Sequence, residues 1–298
     1  MPGRVIVHLG PPKTATTSLQ SAFAMLEHPR YVYAGVIQPR ENDPGSLAAQ
    51  LKGSVLEADS DLSGRVRADL MRLVDTDHIV MLSEEMLSLQ EGGVSTAEKV
   101  KRLARCLSEM PVTVLITLRH PADALPSLYR EIFKELPSSL QSDFRRFCES
   151  GWTDCYDYKA LHDGLVDNGL RDIRWISFET LASGHLTTGS VFGTDDLWNN
   201  APFALKRLNV TDHAPGEEKH LPKLTLRALA STRVTRRIAG AMRSRAGGLV
   251  QSASAVLDNI SVTRRQPAVG TIPGKAARLI AQYNDLVASR LTEDRPRS

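Results

Sequence analysis

The sequence predicts an α/β fold: a central parallel β-sheet flanked by helices, with a mostly helical C-terminal part. Three observations predict it. Short apolar runs recur at Val5–Leu9, His78–Leu82 and Val112–Leu118, as expected of strands buried on both faces. Segments with apolar residues at helical spacing separate them, and strands alternating with helices make a parallel sheet. A polar cluster follows each run, at the edge where such sheets bind ligands.

Val5-Ile6-Val7-His8-Leu9 runs into Gly10-Pro11-Pro12, so a buried strand ends in a loop. Thr17 to Leu26 reads as a helix with Leu19, Ala22, Phe23 and Leu26 on one face. Val66, Leu70, Leu73 and Val74 mark another helix. His78–Leu82 is the second strand and ends at Ser83-Glu84-Glu85. Val100, Leu103, Ala104 and Leu107 give the next helix. Val112–Leu118, rich in β-branched residues, is the clearest strand and ends at Arg119-His120. A helix starts near Pro121, and Asp172–Ile176 is a fourth strand. Beyond Gly184 the pattern is less regular, with loop and short elements to Gly216. A basic segment, a Gly/Ser/Ala-rich stretch from Ala246 to Ala255 and a final helix over Lys275–Leu291 follow. One domain spanning 1–298 is expected, with its core in 1–183 and a substrate or cap region in 184–298.

A chain of 298 residues, 42% hydrophobic and 24% charged, has the composition of a soluble globular protein. Its three cysteines, Cys106, Cys148 and Cys155, fit no disulfide framework or zinc pattern. Reduced thiols point to the cytoplasm. No secretory signal or stretch of about 20 apolar residues is present. A net charge of +3 is too small to imply a nucleic-acid partner. From Lys219 to Arg245 there are eight Lys or Arg and no Asp or Glu. That segment is either a solvated helical face or a surface for an acidic substrate, an anionic lipid or a nucleotide.

A strand, a Gly/Pro turn, Lys13, and then hydroxyl residues opening a helix make an anion-binding arrangement. Backbone amides at a helix start point at the anion, and the helix dipole favours negative charge. Lys13 adds a point charge, and Thr14, Thr16, Thr17 and Ser18 add hydrogen bonds. The Walker pattern needs Gly directly before its Lys, whereas Pro12 precedes Lys13 and Gly10 stands too near. An ATPase or nucleotide kinase fits poorly.

Pro12-Lys13-Thr14-Ala15-Thr16-Thr17-Ser18 resembles the 5′-phosphosulfate loop of sulfotransferases that use 3′-phosphoadenosine 5′-phosphosulfate (PAPS). Ala15 stands where that family usually has Gly, which implies either an altered turn or a helical conformation that Ala accepts. The family also has an Arg at a strand end and a Ser eight positions later, which hold the 3′-phosphate. Arg119 and Ser127 match, with Pro126 beside Ser127 expected to kink the helix. Trp175–Leu181, Leu208-Asn209-Val210 and a final helix with Tyr283, Asn284 and Asp285 resemble further, less specific parts of bacterial members. The resemblance implies a P-loop-like sulfotransferase fold, PAPS as co-substrate, no metal, and an acceptor hydroxyl (less readily an amine) on a carbohydrate, lipid or small metabolite.

The implied roles are Lys13 at the leaving phosphate, residues 12–18 around the phosphosulfate, and Arg119 with Ser127 at the 3′-phosphate. A base must take the acceptor proton. Glu84 is the first choice, because it follows a strand end beside the loop. Glu85, His8, His120 and Glu41 are the alternatives; capping is the competing role for either of the paired carboxylates. Two other functions compete: a kinase or NTPase, and a non-catalytic protein that binds 3′-phosphoadenosine 5′-phosphate (PAP).

Overall fold

The computed structural model describes residues 2–38, 43–193, 196–203, 205 and 274–293. Five strands form one sheet: β1 (Arg4–His8), β2 (Tyr31–Tyr33), β3 (Ile79–Ser83), β4 (Val112–Leu118) and β5 (Asp172–Ser177). Their order is β2-β3-β1-β4-β5, and every neighbouring pair is parallel. The register places His8 opposite Ser83 on β3 and Leu115 on β4.

Successive strand side chains point to opposite faces, and the two faces carry separate cores. Val5, Val7, Val80, Leu82, Val114 and Ile116 belong to one, and Ile6, Ile79, Met81, Leu115 and Ile176 to the other. Because both faces are covered, the central strands β1, β3 and β4 are largely apolar rather than alternating. Helices α2 (Leu47–Glu57), α3 (Ser60–Asp75), α4 (Thr96–Cys106), α5 (Pro121–Ile132) and α8 (Tyr158–Asp167) line the first core. Between α5 and α8 lie the short helices α6 (Ser138–Gln141) and α7 (Phe144–Glu149). Helix α1 (Thr16–Ala24) seals the second core with Leu19 and Phe23, both fully buried. Each such side chain is worth about 1.5–3 kcal/mol of burial. Helices α9 (Phe178–Ser183) and α10 (Thr188–Phe192) add Leu181, Val191 and Phe192 to that face.

The C-terminal helix Gly274–Glu293 returns to the first face through Ala276, Leu279 and Tyr283. Lys275 fixes its start, donating to the Ser150 carbonyl and the Asp154 carboxylate, each at 2.6 Å.

Four expected strands and the helices between them fall within a residue or two of their expected places. Helix α1 stops at Ala24, because the Met25 amide turns back to the Ala22 carbonyl. Several elements were not expected: β2 and α2 in the Tyr31–Gly64 segment, and α6, α7, α8 and α9 further along the chain. Pro126 lies inside α5, which runs on to Ile132. The basic segment 219–245, the stretch 246–255, Leu208–Val210 and Glu41 lie outside the described residues. Among the described residues no helix is long and apolar enough to cross a membrane.

The strand order makes β1 the point where the chain changes direction. Strands β3 and β2 lie on one side of it, β4 and β5 on the other. Ligands of parallel sheets bind in the crevice such a reversal opens at the carboxyl ends, and the loop after β1 sits there.

Candidate active site

The loop from Leu9 to Ala15 is held by its carbonyls. Pro11 O accepts from Thr14 Oγ1 at 2.7 Å. Pro12 O accepts from the Tyr156 hydroxyl at 2.6 Å. Lys13 O accepts from Arg119 Nη1 at 2.6 Å. A trans peptide sets its C=O and N–H in opposite directions. With the carbonyls of Pro12 and Lys13 turned to Tyr156 and Arg119, the amides of Lys13 and Thr14 point away from both. Helix α1 then opens at Ala15, which has no side chain able to cap it. The amides of Thr16 and Thr17, at its start, therefore look to an acceptor outside the helix.

The loop backbone is strained. Lys13 and Ala15 have φ of 66° and 67°. For a residue with a Cβ this left-handed region costs about 1–2 kcal/mol. Ala15 thus takes neither of the expected conformations: it adopts the turn that glycine adopts freely. The three carbonyl bonds and the buried floor of the loop hold the strain in place. Gly10 is required here for a separate reason. A Cβ on it would lie 2.4 Å from Thr117 Oγ1 and 2.7 Å from His8 Nε2.

That floor is a chain of polar side chains crossing three strands. Ser83 Oγ is 2.7 Å from His8 Nδ1, and His8 Nε2 is 3.5 Å from Thr117 Oγ1. Thr117 Oγ1 is in turn 2.5 Å from Thr14 Oγ1. The protons can be placed by elimination. Thr14 gives its proton to Pro11 O, so Thr117 donates to Thr14 and accepts from His8 Nε2–H. His8 Nδ1 then accepts from the Ser83 hydroxyl. His8 is therefore the neutral Nε2–H tautomer, and burial pushes its pKa down to about 3. It positions the loop from below. Thr14 is fully buried, and its hydroxyl faces this floor.

The paired carboxylates divide. Glu84 is 4% exposed, and its Oε1 accepts from the Met86 amide at 2.9 Å, capping the 3₁₀ turn Glu85–Leu87. Glu85 reaches the loop, accepting from Thr16 Oγ1 at 2.5 Å. The turn carrying them is anchored by Lys99, which is 1% exposed and donates to the carbonyls of Met86 and Leu89 at 2.7 and 2.6 Å.

Arg119 follows β4 as expected. Its guanidinium lies 4.5 Å from the centre of the Phe178 ring, a cation–π contact. The Tyr158 hydroxyl accepts from the Arg119 amide and donates to its carbonyl, each at 3.0 Å. His120 caps α5, its Nδ1 accepting from the Ala122 amide at 3.3 Å, and meets the Tyr283 ring edge-on. Ser127 is partly exposed on α5. One turn further, Glu131 Oε1 lies 3.5 Å from Lys13 Nζ. Thr17 and Ser18 occupy the first turn of α1, both partly exposed.

Lys13, Arg119, Thr16 and Glu85 thus converge, as do His8 and Thr14 beneath them. Tyr156, Tyr158, Thr117, Phe178 and Glu131 were not anticipated. Thr117 had one signal, a hydroxyl near the end of an otherwise apolar strand. Tyr156 and Tyr158 had a weaker one, two tyrosines whose hydroxyls need partners once buried. Among the described residues no group of three or more His, Cys, Asp or Glu is placed to hold a metal.

No protein-family model matches the chain, and no curated protein matches it. Among solved structures it is similar to the "Sulfotransferase Domain from the Curacin Biosynthetic Pathway". That likeness has 12% identity over 95% of this chain and 98% of that one, with a TM-score of 0.46. It is also similar to PAB0955, a GTPase in apo form from Pyrococcus abyssi. Here the identity is 15% over 60% of this chain and 95% of that one, with a TM-score of 0.26. With structural scores this low, function is read from this chain's own residues.

Proposed function

We propose that this protein is a sulfotransferase that takes its sulfuryl group from PAPS. One observation carries the reading: the carbonyls of Pro12 and Lys13 are both drawn away from the side on which an uncapped helix begins. What remains on that side is a row of amide donors beside the Lys13 ammonium. The Pro12–Ser18 sequence makes the fitting anion a 5′-phosphosulfate. Lys13 neutralises charge on the oxygen that bridges sulfur and phosphorus. Thr14 contributes its amide, and Thr16, Thr17 and Ser18 the helix start. Arg119 and Ser127 receive the 3′-phosphate. The chain as a whole, 1–298, is one such domain, working in the cytoplasm.

In the reaction an acceptor oxygen attacks sulfur in line, the S–O bond to the 5′-phosphate breaks, and PAP leaves with the bonding electrons. The acceptor proton passes to a carboxylate. Glu85 is the group we assign, because it touches Thr16 at the loop, whereas Glu84 serves the 3₁₀ turn. Glu85→Gln should lower turnover by about 100-fold or more with donor affinity preserved. Glu84→Gln should lower thermal stability first.

The test is mass spectrometry of a cell extract incubated with PAPS and the protein. Products heavier by one sulfuryl group, absent with Lys13→Ala, support the reading. PAP binding with no sulfated product from any extract would favour the non-catalytic alternative.

A further inference from the structure

The last turns of α5 hold a cation that the loop and strand motifs leave unused. Arg130 lies three residues after Ser127, so the two share one side of the helix. Its neighbour Glu131 reaches Lys13, which brings this turn of α5 against the phosphate loop. Arg130 Nη1 is buried and has no hydrogen-bond partner among the described residues. Burial, and next the positive charge of Arg119, both lower the proton affinity of this guanidinium. Arg119 is committed through Nη1 to the loop and through its face to Phe178.

A buried charged donor without an acceptor is unfavourable, and two guanidinium groups within each other's field add to the cost. An anion between them reverses both effects. A phosphate monoester carries close to two negative charges near neutral pH, which two guanidinium groups match and one does not. We propose that Arg130 is a second guanidinium of the 3′-phosphate subsite, closing with Arg119 and Ser127 on the phosphate monoester of the donor. The assignment rests on the PAPS reading above and adds a residue that discriminates 3′-phosphorylated from plain adenosine nucleotides.

The experiment is calorimetric titration of wild type, Arg130→Gln and Arg130→Lys with PAP and, separately, with adenosine 5′-monophosphate, which lacks the 3′-phosphate. Arg130→Gln should weaken PAP binding by about tenfold or more and leave adenosine 5′-monophosphate binding unchanged. Arg130→Lys, which keeps the charge but not the fork, should retain part of the PAP affinity. PAP affinity unchanged in both variants would overturn the assignment alone. So would equal losses for the two nucleotides, which mark a structural role. A wild-type protein that binds the two nucleotides equally would overturn the PAPS reading itself, and the assignment with it.

Discussion

Arg119 Nη1 donates to the carbonyl of Lys13 at 2.6 Å, tying the end of β4 to the loop after β1. The bond gives one side chain two duties. It orients the loop peptide that carries the Thr14 amide, and it places a guanidinium near the start of α5. Arg119→Ala should therefore weaken PAP binding by about 100-fold or more and lower the melting temperature of the ligand-free protein. Arg119→Lys should recover more of the stability than of the affinity, because an ammonium cannot bond loop and phosphate as a fork. Calorimetry and thermal denaturation read the two effects separately.

Ala15→Gly should stabilise the protein. Ala15 sits at φ 67°, where removing the Cβ relieves about 1 kcal/mol of strain, less the extra entropy of an unfolded glycine. A rise of about 2–4 °C in melting temperature per kcal/mol is expected at this size, with PAP affinity held or improved. A fall would mean that the methyl group makes packing contacts worth more than the strain.

The buried neutral His8 makes stability depend on pH. Its pKa in the fold is about 3 against an ordinary 6.5, so between those values the unfolded chain binds the extra proton. The contribution is complete above 6.5 and is lost as pH falls toward 3, by up to about 1.4 kcal/mol per unit. Urea denaturation across this window should show the slope, and His8→Gln should flatten it. Nitrogen chemical shifts should report a protonated Nε2 and an unprotonated Nδ1.

Glu131 competes for Lys13. Their 3.5 Å pair is partly solvent-exposed, at 29% and 52%, so it is worth at most about 1 kcal/mol. Glu131→Gln should raise PAP affinity by no more than about fivefold, and the gain should shrink as salt screens the pair. A loss of affinity would give Glu131 a supporting role in the site.

The parts of the fold legible in the sequence are those written locally. Val112–Leu118 reads as a strand because every position is apolar or β-branched, as a strand buried on both faces allows, and β4 has those limits. Strand β2 is three residues at the sheet edge, too short to show a period. Helix α2 carries Ala48, Leu51 and Val55 at helical spacing, a stripe of only three buried apolar side chains. In the site, Arg119 stands out because it follows β4 directly, and Lys13 because it lies in the Gly/Pro loop that follows β1. Tyr156 and Glu131 reach it only through packing of α5 and the turn before α8, which no local pattern records. The two carboxylates differ for the same reason. Adjacent in sequence, Glu84 turns to the Met86 amide and Glu85 to Thr16, and only the conformation of the 3₁₀ turn decides which.

The central claim is that the loop at Lys13 binds the phosphosulfate end of PAPS rather than the triphosphate of ATP or GTP. Equilibrium calorimetry with PAP in the presence of a metal chelator, set against ATP and GTP with magnesium, tests it most directly. PAP should bind without metal, ATP and GTP should bind far more weakly, and Lys13→Ala should remove most of the PAP affinity. Metal-dependent ATP or GTP binding tighter than PAP would contradict it.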